Sequence, residues 1–103
     1  MMFARVSTFQ GSPEQLDDST SQAIEQILPA ARRLAGFQGV LSLIDRATGK
    51  SITITLWQDE EAMRNSEEAA NRLRARGAET AGESVVSVER YEVVFAEVSS
   101  PAA

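Results

Sequence analysis

Polar and apolar positions alternate in four stretches of this chain and follow a helical period in two others. Met2 to Phe9 is rich in β-forming residues and stops before Gly11, which predicts a first strand. Ser12-Pro13-Glu14-Gln15 then reads as a helix start: Ser12 can cap, Pro13 suits the first helical position, and Gln15 completes a capping box. Leu16, Thr20, Ala23, Ile24, Ile27, Ala31 and Leu34 continue as a helical stripe. Pro29 removes one hydrogen bond, so a kink or restart is expected near Glu25 to Leu28, with Gly36 as terminator. Phe37 to Asp45 and Ser51 to Trp57 alternate as a second and third strand. Asp59 can cap a second helix whose first turn holds Glu60 and Glu61, and Asn65-Ser66 offers a second cap where that helix can break. Ala69, Ala70 and Leu73 carry its stripe, and Gly77 and Gly82 end it. Val85 to Phe95 predicts a long fourth strand.

The order β-α-β-β-α-β is that of the ferredoxin-like α+β fold: a four-stranded antiparallel sheet with two helices on one face. Residues 1–96 form one domain, and residues 97–103 are expected to be a flexible tail. Between the second and third strands, a three-residue loop with Gly49 left-handed pairs Arg46 with Lys50. That register puts Ile52, Ile54 and Leu56 beneath the helices, and a bulge would shift it by one. The open face then carries Leu41, Leu43, Thr53, Thr55 and Trp57, with Phe3, Arg5, Ser7 and Phe9 from the first strand and Ser87, Glu89 and Tyr91 from the fourth. Such a face is too apolar to stay wet, and a symmetric homodimer through it would cover it. Trp57 is expected to point into the space between the sheet and a partner subunit, a ligand, or both.

Composition narrows the chemistry. The chain has 103 residues, 43% apolar and 24% charged, and a net charge of −5, which argues against nucleic acid or an anionic membrane surface as partner. It has no cysteine and no histidine. Disulfides, thiolate nucleophiles and zinc–thiolate sites are therefore excluded, together with the commonest metal and haem ligand and the usual general base near neutral pH. No metal or cofactor is expected. No apolar run approaches the ~20 residues of a membrane span, and the N-terminus lacks a signal-peptide pattern, so a cytoplasmic protein is expected.

Several stretches together carry a resemblance: GFQGVLSLIDRATGKSITITLWQDEEAM, with its small-residue corner Gly36-Phe37-Gln38-Gly39 and the Trp closing the third strand, and VVSVERYEVV near the end. The chain resembles the antibiotic-biosynthesis-monooxygenase-like group of the dimeric α+β barrel superfamily over about residues 2–95. The resemblance implies a homodimer and a ligand cavity between sheet and helices or in the barrel interior. Some members oxidise small aromatic polyketides with oxygen and no cofactor; others degrade haem or isomerise lactones. Quinone-forming members hold the substrate with a tryptophan, an arginine and an asparagine, of which Trp57 alone is carried over. Haem-degrading members use a histidine, which this chain lacks.

Candidate site residues follow. Trp57, Thr53, Thr55 and Leu41 are candidate ligand contacts, and Trp57 serves either as a stacking surface or as interface packing. Arg5, Glu89 and Tyr91 are the candidate catalytic residues: Arg5 to hold an enolate or phenolate, Glu89 or Tyr91 to move a proton. If buried on one face, Arg5 and Glu89 should pair, since a lone buried charge is costly. Gly49-Lys50-Ser51 is no phosphate loop, because Ile44 stands where the first glycine should be and a strand follows. Gly36-x-x-Gly39 leads into a strand of an acidic chain, unlike an RNA-clamping loop. Acidic runs at helix starts are explained by capping, and Arg32, Arg33, Arg72, Arg74 and Arg76 read as solvated helix faces. The sequence thus leaves three functions open: a cofactor-independent monooxygenase or related enzyme on a small aromatic metabolite, a non-catalytic small-molecule binder, and a purely structural homodimer.

Overall fold

The computed structural model describes residues 1–99, and the side chains of all these except residues 15–21. Four antiparallel strands, β1 (Phe3–Gln10), β2 (Phe37–Asp45), β3 (Lys50–Trp57) and β4 (Ser84–Glu92), form one sheet in the order β2-β3-β1-β4. A 3-10 turn (Pro13–Gln15) leads into α1 (Leu16–Arg32); α2 (Glu60–Asn65) and α3 (Glu67–Ala81) follow β3. This is the expected ferredoxin-like arrangement, with the second helix split in two.

The split lies where the cap residues stand. Asp59 Oδ1 accepts from the Ala62 N–H at 2.8 Å and starts α2. Ser66 ends α2 and opens α3, and its hydroxyl donates to the Met63 carbonyl at 2.7 Å. Gly77 does not end α3. It is buried inside the helix, where a Cβ would sit 3.6 Å from Ile27 Cδ1, and the missing side chain lets α1 approach closely. Gly82, at φ +68°, terminates α3 in the left-handed region. Nor does α1 break at Pro29. The helix runs on to Arg32, although Pro29 cannot donate to the Glu25 carbonyl one turn back. The expected roles of Gln15, Leu16 and Thr20 fall outside the described side chains.

One register difference rearranges the interior. The β2–β3 loop has four residues, not three: Asp45 pairs with Lys50, and the Gly49 N–H donates to the Asp45 carbonyl at 3.0 Å. Gly49 is needed there, with φ +83° and a Cβ position 2.2 Å from the Gly11 carbonyl oxygen. The one-residue shift turns β3 over relative to β2. Leu41 and Leu43 now lie opposite Ile54 and Ile52 on the helix-free face, with Leu56 beside Gly39. Ser51, Thr53, Thr55 and Trp57 lie beneath the helices. β1 follows β3: Arg5, Ser7 and Phe9 face inward, and Ala4, Val6 and Thr8 face outward opposite Leu56, Ile54 and Ile52. The open-face assignments of Leu41, Leu43, Ser87, Glu89 and Tyr91 hold, while those of β1 and β3 are reversed.

β4 is shorter than expected because its neighbour runs out. Glu92 pairs with Phe3, the Val93 N–H donates to the Met2 carbonyl at 2.9 Å, and the strand ends. The buried side chains, among them Ala23, Phe9, Trp57, Met63, Ala78 and Ala81, mark the core between the sheet and the helices. No described helix is long and apolar enough to cross a membrane.

Candidate ligand site between the sheet and the helices

The inward row of β1 and β3 is unusually polar for a core. Arg5, Ser7 and Ser51 are all buried. Opposite them, α1 and α3 present small and branched residues, so the layers do not close completely. Two adjoining cavities of about 70 Å³ each remain. The first lies against Phe9, Ser51, Thr53 and Glu83; the second against Arg5, Thr55, Trp57 and Leu34. Ser7, Ile27 and Arg74 line both and form the wall between them.

Trp57 is 2% exposed. Its indole N–H donates to Thr55 Oγ1 at 3.0 Å, and its ring lies 5.7 Å from that of Phe37. The guanidinium carbon of Arg5 is 5.4 Å from the Trp57 ring centroid, a cation–π distance. Gly36 makes room for this corner. Its carbonyl accepts from the Gln58 N–H at 2.8 Å, and a Cβ there would meet the Ala62 Cβ at 2.4 Å.

Arg5, also 2% exposed, anchors the junction of α2 and α3. Its Nη2 donates to the Met63 carbonyl (2.7 Å), Ser66 Oγ (3.0 Å) and Glu67 Oε1 (2.9 Å). Its Nε–H is buried and has no acceptor among the described residues. Glu67 is shared: Arg90 from β4 grips it with both Nε (2.6 Å) and Nη2 (2.7 Å). The Arg90 hydrogen bonds, aided by Arg5, hold the Glu67 carboxyl down to about 2 against the cost of burial. The same contact pushes the Arg90 guanidinium up.

Arg74 is the side chain that sequence reasoning misplaced. It is not a solvated helix-face residue. Its Nε donates to Ser7 Oγ at 3.1 Å and its Nη1 to Asn71 Oδ1 at 2.7 Å. Burial, then the charge of Arg5, pushes its pKa down. Two guanidiniums, Arg5 and Arg90, thus contact one carboxylate, and Arg74 adds a third positive charge close enough to feel both Arg5 and Glu67, a local excess of positive charge suited to an anion. The available signal was Ala70, Gly77 and Ala78, a run of small residues on α3 that brings Arg74 against the sheet. Glu83 was also missed. It accepts from Ser51 Oγ at 2.6 Å and is the one carboxylate lining either cavity among the described residues.

The structure therefore brings Arg5, Thr55 and Trp57 to the second cavity and Thr53 to the first, and leaves three candidates outside both. Leu41 lies on the helix-free face. Glu89 and Tyr91 lie there too, opposite Val6 and Ala4, and Tyr91 Oη donates to Glu89 Oε2 at 2.9 Å. That bond pushes the Tyr91 pKa up. Arg5 and Glu89 do not pair, because alternation along β1 puts Val6, not Arg5, opposite Glu89. No group of three or more acidic, His or Cys side chains could hold a metal among the described residues.

With this geometry in place, similarity to solved structures is informative. The cofactor-independent oxygenase SnoaB of Streptomyces nogalater superimposes with a TM-score of 0.66 at 16% identity, covering 92% of this chain and 95% of that one. A presumptive antibiotic biosynthesis monooxygenase from Deinococcus radiodurans gives 0.66 at 17%, covering 98% and 100%. The chain has the antibiotic-biosynthesis-monooxygenase-like fold. Rv0793 of Mycobacterium tuberculosis gives 0.63 at 15%, covering 95% and 100%. No family model matches the sequence. Among curated proteins, the uncharacterised Rv2557 and Rv2558 of Mycobacterium tuberculosis are each 32% identical, over 93 and 78 residues. The matches cover 90% and 76% of this chain but only 41% and 33% of those proteins, so the chain spans well under half their length.

Proposed function

We propose that this monooxygenase-like fold serves a cofactor-independent oxygenase acting on a small, acidic aromatic metabolite held between the sheet and α1 and α3. The observation that carries this reading is the wall of the second cavity, where the Trp57 ring with Arg5 against it meets Arg74. An aromatic face and two cations suit an electron-rich ring that has lost a proton. Trp57 stacks on the ring, Arg5 and Arg74 stabilise the anion, and Thr53 and Thr55 offer hydroxyls. Glu83 takes the part of the base that Glu89 or Tyr91 would have had on the other face. The anion passes one electron to dioxygen. The substrate radical and superoxide combine into a peroxide anion, the proton held by Glu83 returns to make it a hydroperoxide, and loss of water leaves a carbonyl: a ring CH₂ plus O₂ gives C=O plus H₂O. The SnoaB likeness supports this chemistry. The reading includes a homodimer through the helix-free sheet face and a cytoplasmic location.

One observation favours the alternative, a non-catalytic binder or structural homodimer. Each cavity holds about 70 Å³, whereas ligand pockets run to roughly 300 Å³ or more. A ring enters only if Arg74 swings away from Ser7 and the two spaces join. The test is to titrate the protein with hydroxylated polycyclic aromatics, following Trp57 emission and oxygen uptake. Saturable quenching with oxygen consumption is expected, and Arg74→Ala should admit larger rings while slowing uptake. Quenching without uptake would leave a binder. Silence in both proteins would assign the interior to packing.

A further inference from the structure

The second cavity has cations in its wall and, among the described residues, no carboxylate. Arg5, Ser7, Thr55, Trp57 and Arg74 line it together with apolar side chains of α1 and α3. Hydrogen-bond donors are left over there. All three bonds that Arg5 makes to described residues leave from Nη2, and its Nε–H is buried with no acceptor among them. Ser7 stands two residues on, on the same inward face of β1, and is 6% exposed. Its Oγ accepts from Arg74 Nε, and no described residue accepts its own proton. Thr55 Oγ1 accepts the Trp57 N–H and likewise has a proton to give. A buried donor without an acceptor is costly, so an unused guanidinium N–H and an unused hydroxyl on one face call for a shared acceptor.

We infer that this cavity binds one small monovalent anion, a halide or a one- or two-carbon carboxylate, which accepts from Arg5 Nε and Ser7 Oγ and answers the charge of Arg74. Size sets the class of ligand. About 70 Å³ exceeds the roughly 30 Å³ share of one water and has room for such an ion, whereas a ring needs a pocket several times larger. Charge sets the sign and the valence. Glu67 already answers Arg5, so Arg74 is the one cation of the wall without a carboxylate, and a doubly charged anion would be left partly uncompensated beside Glu67. Burial and the charge of Arg5 both work against the charged form of Arg74, and an anion between the two guanidiniums relieves that repulsion. The ion belongs to the resting chain, with or without turnover of an aromatic substrate, and an acidic ring entering the cavity has to displace it.

The chain's only tryptophan lines the same cavity and is 2% exposed, which makes the test optical. Iodide quenches indole emission on contact and is itself a small monovalent anion. Added at constant ionic strength against potassium sulfate, it should quench Trp57 saturably in the millimolar range, and sodium formate should reverse the effect. Caesium, a contact quencher of opposite charge, should leave the emission unchanged. Arg5→Met keeps the buried volume and leaves Glu67 paired with Arg90; it should weaken iodide by at least about tenfold, as loss of a hydrogen bond to a charged group does. Arg74→Gln should weaken iodide as well, and it carries the comparison if Arg5→Met does not fold. Because the ion binds only the folded chain, formate should raise the Tm of the wild type and not that of either variant. No iodide quenching, or quenching that rises linearly and survives both substitutions, would overturn the site. Equal quenching by caesium would also overturn it, since that marks an open path to solvent with no preference for anions.

Discussion

Replacing Glu67 by Gln changes one charge at the place where two arginines meet. Arg5 would keep Met63 and Ser66 as acceptors but lose its counter-charge while only 2% exposed. Removing one partner of a fully buried pair costs about 3–5 kcal/mol. Glu67 is 27% exposed, and glutamine still accepts a hydrogen bond, so about 2 kcal/mol is the reasonable figure. The acidity of Glu67 leads to a similar value. Its carboxyl is lowered from 4.5 to about 2, a difference of about 3 kcal/mol before solvent screening is discounted and on the order of 1–2 kcal/mol after. With a urea dependence of about 1 kcal/mol per molar, the midpoint should fall by roughly 2 M, read from Trp57 emission at fixed protein concentration. The sign with pH is fixed by the same shift. The folded pKa is depressed, so this stabilisation is complete above about 4.5 and fades as pH falls toward about 2. The gap between wild type and Glu67→Gln should close across that window. A midpoint shift under about 0.5 M, or a gap independent of pH, would refute the account.

Arg5→Met should cost less than Glu67→Gln, under about 1.5 kcal/mol by urea melting. Methionine fills the buried space and leaves Glu67 paired with Arg90, with no stranded charge. Gly36→Ala should destabilise by about 1–3 kcal/mol, because the new Cβ needs a left-handed backbone at φ +80° and overlaps Ala62; thermal unfolding checks it.

Local chemistry written in adjacent residues was legible. Asp59 capped its helix, Ser66 divided two, and Gly82 ended one, because capping depends on neighbours in sequence. The four strands and their order followed from alternation and element order. What was not legible turned on hairpin register. A four-residue loop in place of three exchanged the faces of β3, and β1 paired accordingly. Placing Ile52, Ile54 and Leu56 inside was sound for an isolated domain. Here the apolar row lies outward, and the polar row with Trp57 and Arg5 lies inward.

The candidate site shows the same division. Arg5 and Trp57 could be singled out as the buried-prone cation and the lone indole of their strands, but not as neighbours, since they are 52 positions apart in sequence. Arg74 and Glu83 gave no sign of a site by their own identity, because an arginine or glutamate on a helix or turn looks the same whether it faces water or a cavity; only the small residues Ala70, Gly77 and Ala78 marked the face of α3 that lies against the sheet. By itself the sequence determined the elements, their caps and the ferredoxin-like order, all set by interactions within a few residues. Tertiary structure alone decided which face is inside, which carboxylate answers Arg5, and that a chamber exists between Trp57 and Arg74. Those depend on strand register and on how closely α1 and α3 approach the sheet.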